Sequence, residues 1–244
     1  MWFDPAVVES FVESTPLWAA FLFLAISYLG SIYVIAPATA LMYLRADDWR
    51  TATWLGIVLC AYALFVFLKP VAGTERPGVE SPIPHEQLPI LLEQIHLLAV
   101  DFDTDSFPSG HAVAATVFYG LLVVDLDVGT TAQRLVGATL ILLGIYTSRI
   151  VLGVHFLGDV VGGAMLGVAL LIVLLFLREL VSNPVETLLG IAAVLAVVSI
   201  VLGRPLDGIG LLVAIGITSV AHRKFDLHGR GLQGLLGSGR TSES

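Results

Sequence analysis

Charge is scarce in this sequence: Asp, Glu, Lys and Arg make up 13% of its 244 residues, about half the share of an ordinary soluble domain. Lysine is nearly absent, occurring only as Lys69 and Lys224. Cysteine occurs once, as Cys60 within an apolar run, which excludes a disulfide framework and any cysteine-based metal centre. The first ten residues hold no Lys or Arg, and the first apolar run is far longer than the core of a secretion signal. No cleavable signal peptide is therefore expected. Internal repeats and a separate soluble domain are also lacking.

What the chain does have is length of hydrophobic sequence. Residues AVILMFWYC account for 57% of it, gathered in runs such as 17–44 and 156–177. An apolar stretch of about 18 residues or more reads as a membrane span, because a helix needs about 20 residues to cross the hydrocarbon. Spans are expected at 17–44, 51–68, 110–126, 134–152, 155–178, 184–203 and 206–221, the last being short and glycine-rich. The expected fold is all-α: a polytopic transmembrane helical bundle of six or seven spans. Residues 1–222 form one domain with a core at about 51–178, and the basic, Gly- and Ser-rich 223–244 segment is expected to be a mobile tail. Within the long 69–108 connection, residues 86–99 suit a short helix lying on the membrane surface.

The charge that is present is unevenly placed. There are 20 Asp and Glu against 12 Lys and Arg, a net charge of −8, and no nucleic-acid partner is expected. Two accounts of this acidity stand side by side: adaptation to high external salt, where repulsion between carboxylates is screened, and a bias inherited from the genome. Lys69, Arg76, Arg149 and Arg204 fall on one side of the expected topology. Arg45, Arg50, Arg134, Arg178, Arg223, Lys224, Arg230 and Arg240 fall on the other. The positive-inside rule makes the first side extracytoplasmic. That side also carries Asp101, Asp103 and Asp105, whose spacing lacks the Gly and distal Glu of a calcium loop and reads as a solvated acidic segment.

Three polar clusters interrupt the apolar pattern, and all three arrive on that side. They are Lys69 to Arg76-Pro77, Pro108-Ser109-Gly110-His111, and Ser148-Arg149 followed by His155 and Asp159. Ionisable residues so placed at the ends of membrane helices suggest a functional site. Arg forks match phosphate oxygens two at a time, and Lys adds a point charge. Ser109 and Gly110 open a helix, whose free N–H groups attract an anion. His155 and Asp159 lie four apart, so on a helix they share a face, and the carboxylate can hold one imidazole nitrogen while the other stays nucleophilic. His111 is then available as a general acid.

In order and spacing, K-x6-R-P, PSGH and SR-x5-H-x3-D resemble the three signature motifs of the type 2 phosphatidic acid phosphatase superfamily. The resemblance covers about 90 residues and implies a metal-independent phosphohydrolase with no cofactor. It implies that His155 is the nucleophile, Asp159 its support and His111 the acid. The phosphate cradle would be Lys69, Arg76, Ser109, Gly110 and Arg149, with Ser148 a lesser member. The implied substrates are lipid phosphates or diphosphates: phosphatidate, phosphatidylglycerol phosphate or polyprenyl diphosphate. Two alternatives remain: a lipid phosphotransferase, and a binder or transporter of anionic lipid that does no chemistry. Members commonly carry three spans before the first motif, whereas two are expected here. His85 and His96 belong to no motif and are expected at the surface or near an entrance, while His222 and His228 go with the tail. Gly158, Gly162, Gly163 and Gly167 form small-residue stripes suited to close helix packing.

Overall fold

The computed structural model describes residues 1–44, 48–84, 88–100 and 104–237, with side chains through Lys224; His85, Asp101, Asp103, Arg45, Arg240 and the side chains of His228 and Arg230 lie outside that set. Every regular element among the described residues is a helix. A short α1 (Pro5–Ser14) leads into α2 (Leu17–Tyr28) and α3 (Ile32–Leu44), which together fill the first expected span. A turn at Leu29–Ser31 separates them, and Gly30 sits there because a Cβ would meet Ile145 at 2.7 Å. After the single turn of α4 (Trp49–Ala52) comes α5 (Trp54–Ala72). The 69–108 connection contains α6 (Ile90–Val100), which exposes Ile90, Leu91 and Leu98 while burying His96. Then follow α7 (Gly110–Asp125), α8 (Thr131–Val151), α9 (Leu157–Leu180), α10 (Pro184–Val201) and α11 (Pro205–Gly237).

Six helical stretches are long and apolar enough to cross a membrane. The expected span at 110–126 is the exception, because α7 has 16 residues, or about 24 Å of rise. It need not meet lipid along its length. From Ala112 to Tyr119 every residue is buried, and α5, α8 and α9 pack around it. α7 is thus enclosed by its neighbours, while α10 and α11 pack on the other side of α5. The seam between α7 and α9 is tight because glycines line it: a Cβ on Gly163 would stand 2.9 Å from the Ser109 carbonyl oxygen. The other glycines of the expected stripe also meet neighbours, Gly167 at Thr116, Gly162 at Phe107 and Gly158 at Phe3.

One residue differs from the expectation. His96 is not a surface residue; it is buried with Nε2 2.9 Å from the Ser81 hydroxyl. The backbone of α11 is helical to Gly237 and so takes in the first part of the basic segment that begins at 223. Glycine weakens a helix by about 1 kcal/mol but does not block it, and no proline follows Pro205.

At the end of the bundle away from the three motifs, Asp125 of α7 and Arg178 of α9 form a buried bidentate pair, at 2.6 and 2.7 Å. Trp54 Nε1 of α5 donates to the same carboxylate at 2.8 Å. Three helix ends are joined there by one closed polar cluster.

Candidate active site

At the opposite end, the C-termini of α5 and α8 meet the N-termini of α7 and α9, and so the three motifs converge. Lys69 lies in the last turn of α5, four residues before the left-handed Gly73 that caps the helix and donates its N–H to the Lys69 carbonyl. Ser109 is the N-cap of α7, and its N–H donates to the Asp159 carbonyl at 3.1 Å, tying the second motif to the third through the backbone. Arg149 lies in the last turn of α8. The corner after it turns at Gly153, whose φ of +77° and position 2.7 Å (by its missing Cβ) from the Val79 carbonyl leave no room for a side chain.

His155 and Asp159 do meet, with Nδ1 and Oδ2 3.3 Å apart, but not on one helical face. His155 precedes α9, and Phe156 is its N-cap. Asp159 lies in the first turn of α9 and folds back, accepting the Phe156 N–H at 2.8 Å. The spacing of four works because the carboxylate caps its own helix and meets the imidazole from there. His155 is buried. Burial, followed by the charges of Arg76, Arg149 and Lys69, holds its proton affinity well below the ordinary histidine value, with a hydrogen bond to the Ser106 backbone pulling the other way. At neutral pH its imidazole is uncharged, the state in which a ring nitrogen is nucleophilic.

Each of the three cations donates to carbonyls or hydroxyls of the surrounding chain. Lys69 Nζ donates to the Asp105 carbonyl. Arg76 donates to the Thr104 carbonyl at 2.9 Å, the Thr104 hydroxyl at 3.0 Å and the Val154 carbonyl at 2.7 Å. Burial lowers Arg76 to about 10, and it remains protonated at neutral pH. Arg149 donates to the Ser27 hydroxyl and, at 2.9 Å, to the Ala99 carbonyl. These bonds fix the orientation of the guanidinium groups.

A cavity of about 530 Å³ opens onto this cluster. Lys69, Arg76, His111, His155 and Gly110 line its polar end. Tyr33 of α3, Leu59 and Phe65 of α5 and Leu211 of α11 line its apolar walls. Arg204 also lines it, held by Asp207 at 2.6 and 2.9 Å. Arg149, Ser109, Ser148 and Asp159 stand behind the lining and are fully buried. Ser109 Oγ has no hydrogen-bond partner there, whereas Ser148 Oγ bonds back to the Ile145 carbonyl at 2.6 Å. Among the described residues, no three His, Cys, Asp or Glu side chains are grouped as metal ligands.

One side chain at this centre belongs to none of the three motifs. Ser106 is fully buried; its hydroxyl donates to Asp159 Oδ2 and lies 3.3 Å from His155 Nδ1. Its only signal in the sequence is its place two residues before Pro108.

Comparison with known proteins covers the same region. The model of the PAP2 superfamily matches residues 50–181. Phosphatidylglycerophosphatase B of Bacillus subtilis (strain 168) is 29% identical over 181 residues, a match covering 68% of this chain and 79% of that protein. Among solved structures, the first transmembrane PAP2 type phosphatidylglycerolphosphate phosphatase from Bacillus subtilis superposes with a TM-score of 0.59 at 23% identity. That alignment covers 74% of this chain and 86% of the other. Aquifex aeolicus LpxE superposes with a TM-score of 0.50 at 23% identity, covering 71% and 94%. The two superpositions show the shared helical fold.

Proposed function

Because the chain belongs to the PAP2 superfamily and is a multi-pass membrane protein, we propose that it hydrolyses a lipid-borne phosphate through a phosphohistidine on His155. One observation carries this reading: a neutral, buried imidazole braced by a carboxylate stands in the same cavity as Lys69, Arg76 and His111. The named relative, a phosphatidylglycerophosphatase, supports the substrate class. So do the apolar walls, which suit a phosphate carried on a hydrocarbon tail and entering between α3, α5 and α11.

In the proposed reaction the phosphate docks among Lys69, Arg76 and Arg149, with the free N–H groups of the first turn of α7 and the Ser109 hydroxyl as further donors. His155 Nε2 forms the N–P bond as the bond from phosphorus to the lipid oxygen breaks. That oxygen leaves with the electron pair and takes a proton from His111. Water then attacks the phosphohistidine, with His111 as base, releasing phosphate. The charge spreading over the equatorial oxygens is met by cations already in place, the largest contribution expected in phosphoryl transfer. No metal enters this scheme.

Phosphate release from a panel of lipid mono- and diphosphates, with EDTA present, tests it. Release from at least one lipid, lowered more than about 10,000-fold in His155→Ala, is the expected result. No release from any lipid sinks the activity, and release lost to EDTA sinks the metal-free chemistry. An acceptor alcohol that takes the phosphate in place of water would make the enzyme a transferase.

The site is proposed to face the extracytoplasmic side, since Arg50, Arg134, Arg178, Arg223 and Lys224 gather at the far end of the bundle. Cys60, the sole cysteine, is buried, so Glu80→Cys and Ser182→Cys each report one side. An impermeant maleimide applied to intact cells should label the first and spare the second; the reverse would invert the topology.

A further inference from the structure

Asp159 accepts two hydrogen bonds on one oxygen besides its contact with His155: the Phe156 N–H and the Ser106 hydroxyl both reach Oδ2. Its other oxygen, Oδ1, is buried with no hydrogen-bond partner. The last torsion of an aspartate is broad and roughly two-fold. With the Phe156 N–H alone, the carboxylate could rotate about that single anchor and present a different edge to the imidazole. Two donors on one oxygen hold that oxygen in place, 3.3 Å from His155 Nδ1, where its negative charge favours a proton on that nitrogen.

Ser106 is itself well placed to do this. Its own N–H donates to the Thr74 carbonyl at 2.7 Å. The two carbonyls before it, Thr104 and Asp105, accept from Arg76 and Lys69. The backbone that presents the hydroxyl is therefore pinned by the cations of the first motif, while the hydroxyl acts on the third.

We propose that Ser106 is a positioning residue: through Asp159 it holds His155 in the tautomer with the proton on Nδ1 and the lone pair on Nε2. The proposal rests on His155 being the nucleophile. As the N–P bond forms, Nε2 gives up its lone pair and the ring becomes cationic. The proton already on Nδ1 then points at a carboxylate whose orientation is fixed. Without Ser106 the other tautomer becomes accessible, in which Nε2 carries the proton and cannot attack. The same logic explains why a buried carboxylate matters to a catalytic triad through tautomer as well as charge.

Two measurements test it, one needing turnover and one not. In Ser106→Ala, kcat should fall about 10–100-fold with KM for the lipid little changed, since no cradle group is altered. In an Asp159→Asn background the same substitution should change kcat less than about two-fold, because its effect runs through the carboxylate. Ser106→Thr, which keeps the hydroxyl, should recover most of the loss. Equal losses in both backgrounds would overturn the proposal, as would a loss confined to KM. Nitrogen-15 spectra of histidine-labelled protein read the tautomer directly, even if no lipid proves to be a substrate: Nδ1–H in the unsubstituted protein and a mixture in Ser106→Ala. An unchanged tautomer in Ser106→Ala, or in Ser106→Cys should the alanine variant not fold, refutes it.

Discussion

The two ends of the helical bundle both bury cations at helix ends, but only one opens onto a cavity. At the far end Arg178 meets Asp125 head-on with two hydrogen bonds, Trp54 donates to the same carboxylate, and the cluster is enclosed by packing. At the site end Lys69 and Arg76 line the cavity beside His111 and His155, while Asp159 accepts from Phe156 and Ser106 behind them. A cation shut inside the bundle can only brace it, whereas one that lines a cavity is within reach of an arriving anion. Under the proposed function the first end is a structural clamp and the second a phosphate site.

That contrast can be broken by exchanging the losses. Arg149→Met should lower kcat/KM by about 100–1,000-fold, the effect of removing one preorganised donor from a developing anion, with a much smaller effect on the thermal midpoint. Asp125→Ala should do the reverse. It leaves Arg178 buried without its carboxylate, which destabilises by about 3–5 kcal/mol and should appear as a lowered unfolding midpoint. The enzyme that remains folded should keep its kcat. If Asp125→Ala instead lowered kcat in fully folded protein, the far end would not be a mere clamp. The smallest effect is on pH. His155 is held below the ordinary histidine value of about 6.5, so its reactive neutral form persists as the solution turns acid. The acid limb of kcat/KM that protonation of His155 sets should therefore lie below pH 6.5. Arg76→Gln removes one of the cations responsible and should move that acid limb upward, on a lower absolute rate.

Most of this architecture was open to reading from the chain because long apolar runs have few other fates. The site was legible because Lys69, His111 and His155 sit in fixed spacings at the ends of those runs. The rest depends on contacts that spacing does not encode. Ser106 meets Asp159 across 53 residues of chain, and nothing local marks its hydroxyl as buried. The pairing of His155 with Asp159 was anticipated, yet its cause was not: a capping carboxylate reaches back over the start of α9, where a shared helical face was expected. α7 reads as a span by its apolar content, but its 16 residues suffice because other helices surround it. His96 looked like an ordinary loop histidine, and only the packing of α6 puts it inside.

The bond from the Ser109 N–H to the Asp159 carbonyl, with Gly163 packed against the Ser109 carbonyl, bears on timing. His111, in the first turn of α7, and His155, just ahead of α9, are thereby held at one level, so under the proposed function their separation is not something each turnover has to re-establish. On that same reading the tail would enter and leave past the walls that Tyr33 and Leu211 help to line, so substitutions there should act on lipid binding and release more than on the chemical step.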